Sequence, residues 1–412
     1  MTVEYIQRQF ANRIGGAKFG MEEEIYKFEK IKRAKQEAMM TYPSKELIDL
    51  GVGEPDEMAD EMVVQVLAEA AGRPENRFYA DNGVPMFKEA AAEYMEQVFG
   101  VAGLDPETEI IHTIGLKTAL AMLPAAFINP GDITLMPSPC YPVLGTFTQY
   151  YGGEVIDLPL VEENGFLPQF NKLDVESLKK AKLIYLNYPN NPTGAVATTA
   201  FFEEVVAFAK EHELIVIHDA AYAALVYDGE TPLSFLSIPG AKEVGIELHS
   251  LSKSFNMTGW RMGFVAGNTK LVKAFATVKD NQDSGQFIAI QKAAAYALRH
   301  PEITKRTADK YARRFQLLVD ALRECGFEVS KPKGSFFLYV KIPKRVENGE
   351  TFQTAEDFSQ YLLKNHVISA VPWDESGHYI RFSVTFQAEG VGEEKRVMGE
   401  MKRRLSTVDF IF

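Results

Sequence analysis

The chain has 412 residues, 46% hydrophobic and 24% charged, which is typical of a soluble globular protein with one large domain and a smaller one. Its formal net charge of −12 argues against nucleic acid or an anionic membrane surface as a partner, because both attract basic patches. The only cysteines, Cys140 and Cys325, are too few for a disulfide framework and favour a reducing compartment.

The N-terminal segment MTVEYIQRQFANRIGG has no apolar core of the kind found in signal peptides. Along the chain, no run of about eighteen apolar residues indicates a membrane span. We therefore expect a cytoplasmic protein. The first 45 residues are rich in charge and predict a helix near 21–39, in an arm that crosses the large domain and joins the small one.

Short β-rich runs alternate with helical patterns through the middle of the chain. The predicted strands are LIDLGV (centred on 48–52), ITLM (133–136), EVIDL (154–158), KLIYLN (182–187), LIVIHD (214–219) and VGIELHS (244–250). The segment 198–212 has helical periodicity, with Phe202, Val205, Val206 and Phe208 on one side. Apolar strands joined by helices predict an α/β fold, a mainly parallel sheet covered on both faces, with ligands beyond the carboxyl ends of its strands.

After about residue 295 the strict alternation ends. The sequence there predicts helices at 303–326, 354–364 and 391–405, and strands at 335–342 and 379–386. Such an order is typical of a separate α+β domain. We therefore predict a large domain over 46–295 and a small domain formed by 1–45 and 296–412.

Polar segments follow several of the predicted strands. They are Ile114-Gly115-Leu116-Lys117, YPNNPTG (188–194), HDAAY (218–222) and SLSKSFNMTGWRMG (250–263). Hydroxyls and an arginine around one lysine suit a phosphate-bearing cofactor beside a reactive amine, although SLSK alone also fits an exposed turn. Taken in order, from GVGEP (51–55) to Arg381, these segments resemble the class I aminotransferases. The resemblance implies fold type I, a mainly parallel seven-stranded sheet, and pyridoxal 5'-phosphate as the cofactor.

The resemblance implies catalytic roles for Lys253, Asp219 and Tyr222. Lys253 would hold the cofactor's aldehyde and move a proton, which requires a neutral amine, and burial beside positive charge lowers a lysine pKa. Asp219 ends an apolar strand and would pair with the ring nitrogen, or alternatively cap the next helix. Tyr222 and Asn191 would hydrogen-bond the phenolic oxygen, although NNPTG alone is a good turn.

The remaining cofactor contacts are also implied by the resemblance. The phosphate would be bound by the backbone N–H groups of Leu116 and Lys117, at a helix start, and by Ser250, Ser252 and Arg261. Tyr141 would stack on the ring, or else be a core tyrosine. Tyr79 would reach the phosphate of a partner subunit, which implies a homodimer with shared active sites.

Arg381 lies between apolar residues of a predicted strand, and a buried arginine needs an anion. The resemblance makes that anion the substrate's α-carboxylate, and a structural salt bridge is the alternative. Asp81 would bind a distal ammonium, or else belong to the turn before Asn82-Gly83. The implied substrate contacts are Phe19, Gly53, Asp81, Lys117, Tyr141, Asn191, Gln286 and Arg381.

Within the family, three segments are most similar to the LL-diaminopimelate aminotransferases: residues 19–35, LGVGEPDEMADE (50–61) and DNQDSGQF (280–287). Those enzymes convert tetrahydrodipicolinate and glutamate to LL-diaminopimelate and 2-oxoglutarate, in lysine biosynthesis. Phe19 stands where a tyrosine is expected, and Gln286 stands near a frequent asparagine. Alanine, aspartate or aromatic aminotransferases are the alternatives for the substrate.

The sequence leaves two other classes of function as alternatives. A pyridoxal-phosphate lyase or decarboxylase would share the cofactor contacts, and only Arg381 and neighbouring substrate contacts distinguish it. A non-catalytic, aminotransferase-like effector-binding module would accompany a DNA-binding domain, and the sequence has no basic helix-turn-helix segment. No HExxH or C-x-x-C motif predicts a metal site, and GVGE lacks the third glycine of a dinucleotide fingerprint.

Overall fold

The fold is taken from a computed structural model that describes residues 4–21 and 27–412. The predicted helix near 21–39 falls partly on residues 22–26, outside the described residues, and its described part begins at Lys27. No helix in the described ranges is long and apolar enough to cross a membrane.

The helices and strands follow one another along the whole described chain. The α-helices are Glu4–Gln7 (α1), Lys27–Thr41 (α2), Glu61–Ala71 (α3), Pro85–Phe99 (α4), Leu116–Phe127 (α5), Val143–Tyr150 (α6), Val175–Lys180 (α7), Thr199–Glu211 (α8), Ala241–Val244 (α9), Leu251–Ser254 (α10), Thr269–Lys279 (α11), Ile288–Leu298 (α12), Glu302–Glu324 (α13), Ala355–Tyr361 (α14) and Gly390–Leu405 (α15). The strands are Ile48–Asp49 (β1), Ile110–Thr113 (β2), Ile133–Ser138 (β3), Glu154–Pro159 (β4), Ala181–Asn187 (β5), Ile215–Asp219 (β6), Gly245–Ser250 (β7), Gly263–Gly267 (β8), Phe337–Lys341 (β9), Arg345–Val346 (β10), Ile368–Ser369 (β11), Val371–Trp373 (β12), Tyr379–Ser383 (β13) and Phe410–Ile411 (β14).

The prediction of a mainly parallel seven-stranded sheet is confirmed. In the described chain its order is β2-β8-β7-β6-β5-β3-β4, and only β8 runs antiparallel to its neighbours. Leu183 and Tyr185 of β5 pack in one apolar cluster, whereas Ile184 and Leu186 pack in another. Because successive side chains of a strand point to opposite faces, both faces of the sheet are covered.

Helix α8 shows how the crossovers are built from the sequence. The Thr198 side chain accepts a hydrogen bond from the backbone N–H of Phe201 and caps the first turn. Phe202, Val205 and Ala209 then lie at helical spacing and are buried against the sheet. The capped and amphipathic helix thereby returns the chain to the start of β6.

Strand β8 reverses direction, and this has a consequence for the site. The parallel strands end in Asn187, Asp219 and Ser250, so these residues lie at the carboxyl edge of the sheet. Because β8 is antiparallel, its beginning at Gly263 lies at that same edge, two residues after Arg261. Strand β2 and strand β8 were not predicted from the sequence.

The segment LIDLGV does not join this sheet. Ile48 pairs in parallel with Ile368 of β11, and both lie in a third apolar cluster together with residues of α13, β9 and β13. Its placement among the strands of the large sheet was therefore wrong. The pairing is long-range in sequence, and local periodicity carries no information about it.

Candidate active site

A cavity of about 540 Å³ lies at the carboxyl edge of the sheet, between it and β13. Many of the residues expected to bind cofactor or substrate line this cavity: Gly53, Leu116, Lys117, Tyr141, Asn191, Asp219, Tyr222, Ser250, Ser252, Lys253, Arg261 and Arg381. The structure thus brings together segments that lie up to 330 residues apart in sequence.

Asp219 is buried at the end of β6. Its Oδ2 accepts a hydrogen bond from the Tyr185 hydroxyl at 3.0 Å, and its Oδ1 accepts one from the backbone N–H of Ala221 at 3.2 Å. Burial raises the pKa of this carboxyl, and the two hydrogen bonds oppose the rise. A buried carboxylate of this kind suits a cationic partner placed in the cavity.

Lys253 lies on α10, immediately after β7. The Ser250 side chain caps this turn by accepting from the backbone N–H of Ser252. The Lys253 ammonium donates to the Gly53 carbonyl at 2.7 Å. Burial lowers the pKa of Lys253 to about 8; the Glu54 carboxylate opposes this, and the guanidinium groups nearby add to it.

The start of α5 and Arg261 form a site suited to an anion. Gly115 has φ = 69°, and a Cβ placed there would lie 2.1 Å from Arg261 Nη2, so only glycine allows this approach. Arg261 itself has φ = 58° and donates to the Thr258 carbonyl at 2.8 Å. A helix N-terminus, a fixed guanidinium and the hydroxyls of Ser250 and Ser252 are donors that fit a phosphate.

Arg381 is buried on β13. Its Nη1 donates to Asn191 Oδ1 at 2.8 Å, its Nη2 donates to the Gly51 carbonyl at 3.2 Å, and its guanidinium lies 3.9 Å from the centre of the Phe337 ring. Among the described residues, Arg381 Nε has no hydrogen-bond partner. Burial lowers the pKa of Arg381 to about 10. A buried guanidinium bonded to neutral oxygens in the described part suits the carboxylate of a ligand.

Four successive carbonyls form the wall that faces Arg381 and Lys253. In order along residues 50–53, they accept from Ser383 N, Arg381 Nη2, Thr385 Oγ1 and Lys253 Nζ. We call residues 50–53 the carbonyl wall. Only Gly53 had been expected at the site, since backbone carbonyls give no signal in a sequence.

Other expected residues lie outside the residues that line this cavity. Tyr79 is 84% exposed and Phe19 is 45% exposed, with the Phe19 ring 4.8 Å from that of Phe10. Asp81 is exposed, and its carbonyl accepts from Lys279. Gln286 is hydrogen-bonded to His112 and to the Trp260 carbonyl. The expected roles of Phe19, Tyr79, Asp81 and Gln286 stay predictions.

Lys35 and Tyr185 were missed by sequence reasoning. Lys35 of α2 lines the cavity, and its ammonium lies 2.7 Å from the Asp49 carboxylate. In the sequence it is one of several charged residues of a predicted helix, so nothing distinguishes it. Tyr185 lies inside an apolar strand and is typical of a core residue, although its hydroxyl reaches Asp219.

A buried ionic cluster lies next to Asp219. Glu247 is fully buried and accepts hydrogen bonds from the Ser234 hydroxyl, the Phe235 N–H and the two histidines His218 and His249. His218 Nε2 also lies 3.0 Å from the Tyr188 carbonyl oxygen, so both ring nitrogens of His218 face oxygen atoms. Although burial acts to raise it, the histidines hold the pKa of Glu247 well below its usual range.

Comparisons with known proteins agree with this geometry. A family profile described as aminotransferase class I and II matches residues 45–393. The chain is 59% identical to an LL-diaminopimelate aminotransferase of Methanocaldococcus jannaschii and 56% identical to one of Methanococcus maripaludis, in each case covering 99% of both chains.

Solved structures show the same similarity. The substrate-bound BacF structure from Bacillus subtilis has a TM-score of 0.85 at 35% identity, covering 97% of this chain and 98% of BacF. The aspartate aminotransferase from Rhizobium meliloti has a TM-score of 0.82 at 26% identity, covering 97% and 100%.

Proposed function

We propose, from the premise that this chain belongs to the aminotransferase class I and II family, that it interconverts tetrahydrodipicolinate and LL-diaminopimelate with glutamate as the amino donor. Two relatives that carry the name LL-diaminopimelate aminotransferase match over essentially their full length and support this substrate. The observation that carries the chemistry is the convergence of Lys253, Asp219, Arg261 and Arg381 on one cavity.

Pyridoxal 5'-phosphate fits the groups that the cavity offers. Asp219 is a buried carboxylate suited to a protonated ring nitrogen, and Lys253 supplies an amine for the aldehyde. The start of α5 and Arg261 supply donors for the phosphate. When bound, the cofactor accepts the electron pair released at the substrate's α-carbon.

Two side chains would orient the cofactor at its phenolic oxygen. Asn191 Oδ1 is used by Arg381, which leaves the Asn191 amide N–H groups free to donate to the cofactor. Tyr222 is buried in the cavity wall, and burial raises the pKa of its phenol, so it remains a hydrogen-bond donor. Tyr141, also in the wall, would stack on the ring.

The chain's own residues would then move the proton. The substrate's α-carboxylate would bind Arg381, which would hold the α-carbon within reach of Lys253. The Lys253 amine would take the proton from that carbon as a general base and, in the same half-reaction, deliver it as a general acid to the cofactor carbon that carried the aldehyde. The reverse half-reaction would run the same two transfers backwards. A pKa of about 8 keeps a useful fraction of the amine neutral near pH 7.

The distal end of LL-diaminopimelate carries an ammonium as well as a carboxylate. Asp81 would bind the ammonium and so favour this substrate over plain dicarboxylic amino acids. The sequence also predicts Phe19, Lys117 and Gln286 as distal contacts. Phe19 and Asp81 do not line the cavity within the described chain, so we propose that they would contact the substrate of a partner subunit.

We therefore also propose a homodimer with shared active sites. Tyr79 and Phe78, 84% and 58% exposed, are large aromatic side chains that a partner subunit would cover.

We also propose that each chain has a large domain of residues 46–295 and a small domain formed by residues 1–45 and 296–412. The pairing of Ile48 with Ile368 argues for a boundary just after β1.

The first experiment screens half-reactions. The purified protein is loaded with pyridoxal phosphate, and its absorption spectrum is followed with LL-diaminopimelate, glutamate, alanine or aspartate. We expect conversion with LL-diaminopimelate and glutamate. Conversion by alanine or aspartate, with no response to LL-diaminopimelate, would instead show a general aminotransferase.

The second experiment locates the cofactor. Borohydride reduction should fix it on Lys253, in the tryptic peptide 243–261, left uncut at the modified residue. The Lys253→Ala variant is the control and should still bind the cofactor through its phosphate. A label on another lysine would overturn the assignment.

The dimer is tested by mixing two inactive variants, Lys253→Ala and the double variant Tyr79→Phe/Arg261→Ala. In the hybrid, the site built on the intact Lys253 lacks Arg261 but regains Tyr79, so partial recovery of activity is expected. A fully active monomer in sedimentation would exclude shared sites.

A further inference from the structure

Gln286 joins two segments that the site needs. Its Nε2 donates to the Trp260 carbonyl at 2.6 Å, and its Oε1 lies 3.0 Å from His112 Nε2. Trp260 directly precedes Arg261, and His112 lies on β2, three residues before Gly115. The two hydrogen bonds therefore connect the segment that carries Arg261 with the segment that leads into α5, which are the two parts of the anion site.

The orientation of the Gln286 amide follows from its partners. The Trp260 carbonyl can only accept, so the Gln286 NH₂ group must face it and the amide oxygen must face His112. Burial lowers the pKa of His112 to about 4, so its imidazole is neutral near pH 7 and carries its single proton on Nε2. His112 Nε2 then donates to Gln286 Oε1, while Gln286 Nε2 donates to the Trp260 carbonyl.

The backbone around Gln286 is itself fixed. The fully buried Gln291 donates from its Nε2 to the Gln286 carbonyl at 2.7 Å and accepts from the Val84 N–H at 2.8 Å. A Cβ placed on Gly285 would lie 2.1 Å from the Ala80 carbonyl oxygen, so this loop is packed closely against residue 80. Gln286 therefore extends from a rigid base.

Arg261 needs such support. It has φ = 58°, the left-handed region that side chains other than glycine adopt rarely, and its guanidinium lies where a Cβ on residue 115 would be. The peptide between Trp260 and Arg261 sets the direction in which the Arg261 side chain leaves the backbone. Gln286 holds the carbonyl of that peptide.

We propose that Gln286 is a positioning residue for the phosphate site, acting through Trp260 on Arg261 and through His112 on the start of α5. This inference rests on the proposed cofactor. It differs from the substrate contact expected for Gln286 from the sequence, because both ends of the amide already bind within the chain.

The test compares two ligands on the apoenzyme. Pyridoxal phosphate and pyridoxal, which lacks the phosphate, are titrated by equilibrium dialysis into wild type and Gln286→Met, a variant of similar shape without hydrogen-bonding groups. The matched control is Gln282→Met, at an exposed glutamine in the preceding turn. We expect Gln286→Met to raise the Kd for pyridoxal phosphate about tenfold.

The Kd for pyridoxal should stay within about twofold in both variants, because the loss is confined to the phosphate. The Gln286→Glu variant still accepts from His112 but cannot donate to the Trp260 carbonyl, so it should also bind pyridoxal phosphate more weakly. With cofactor at saturation, KM for glutamate should remain that of wild type.

An unchanged Kd for pyridoxal phosphate with a raised KM for glutamate would overturn the positioning role in favour of substrate contact. Parallel losses for pyridoxal and its phosphate would overturn it as general damage. If wild type itself does not prefer the phosphate, the proposed cofactor fails instead. This last outcome separates the two failures.

Discussion

The ionisation of Lys253 can be measured directly in the apoenzyme by raising the pH from 6 to 10. A lysine in a model peptide has a pKa near 10.5, whereas burial brings that of Lys253 to about 8. Only the neutral amine reacts with an acylating reagent. At pH 7 about one amine in ten is neutral for a pKa of about 8, against about one in 3,000 for the unperturbed value, a difference of roughly 300-fold.

The lowered pKa of Lys253 determines how the reactivity of its amine changes with pH. A lowered lysine pKa means that reactivity rises as pH increases through about 8 and levels off above it. The assay is competitive acetylation at a series of pH values, with mass spectrometry of the peptide 243–261 that remains uncut when Lys253 is acetylated. The urea-unfolded chain is the control, and the pKa of its Lys253 should lie near the ordinary lysine value of about 10.5.

A variant gives a second check on the cause. The Glu54 carboxylate raises the pKa of Lys253 against the effect of burial, so Glu54→Gln should move the midpoint further down. A midpoint above about 9.5 in the folded apoenzyme would refute the reasoning, since burial and neighbouring guanidinium groups would then have little effect on this amine.

Three further predictions concern other parts of the site. Arg381→Lys should raise KM and lower kcat/KM for every amino acid by about 10- to 100-fold, because an ammonium cannot make the two parallel hydrogen bonds that a guanidinium makes to a carboxylate. A loss for only one substrate in steady-state kinetics would contradict this. Asp81→Asn should cost kcat/KM for LL-diaminopimelate about 1.5–3 kcal/mol and leave glutamate nearly unchanged, and equal losses would remove Asp81 from substrate selection. Glu247→Gln should lower the free energy of unfolding by about 3–5 kcal/mol in urea titrations, because it removes the buried carboxylate to which His218 and His249 are hydrogen-bonded. The control is Glu176→Gln, which removes one member of an exposed ion pair and should change the free energy of unfolding by less than about 0.5 kcal/mol. Similar losses of stability in the two variants would show that burial of the carboxylate is unimportant.

The core of the site could be predicted because its signals are local. Asp219 follows an apolar strand, and Lys253 follows the next strand of the chain, so the parallel order places both at one edge. Apart from LIDLGV, the strands predicted for the large sheet lie within about two residues of the observed ones, as do the predicted helices 303–326 and 391–405, because their hydrophobic periodicity is regular.

The rest depends on contacts between distant residues. Strand β2 contains His112, and β8 is short and begins and ends with glycine, so neither has the appearance of a strand in isolation. The Tyr185 hydroxyl reaches Asp219 only through the register of β5 with β6, which pairs Asn187 with Asp219. No local pattern contains such a register.

The carbonyl wall also sets an order of events during synthesis. Gly51 is made early, but its partner Arg381 is added 330 residues later, which at ribosomal rates takes roughly 15 to 65 seconds. All seven strands of the large sheet have been translated by residue 267, so the edge that carries Asp219 and Lys253 exists before the wall can close over it. The residues proposed to hold the cofactor, which end at Arg261, are therefore all translated before Arg381, the proposed contact of the substrate's α-carboxylate.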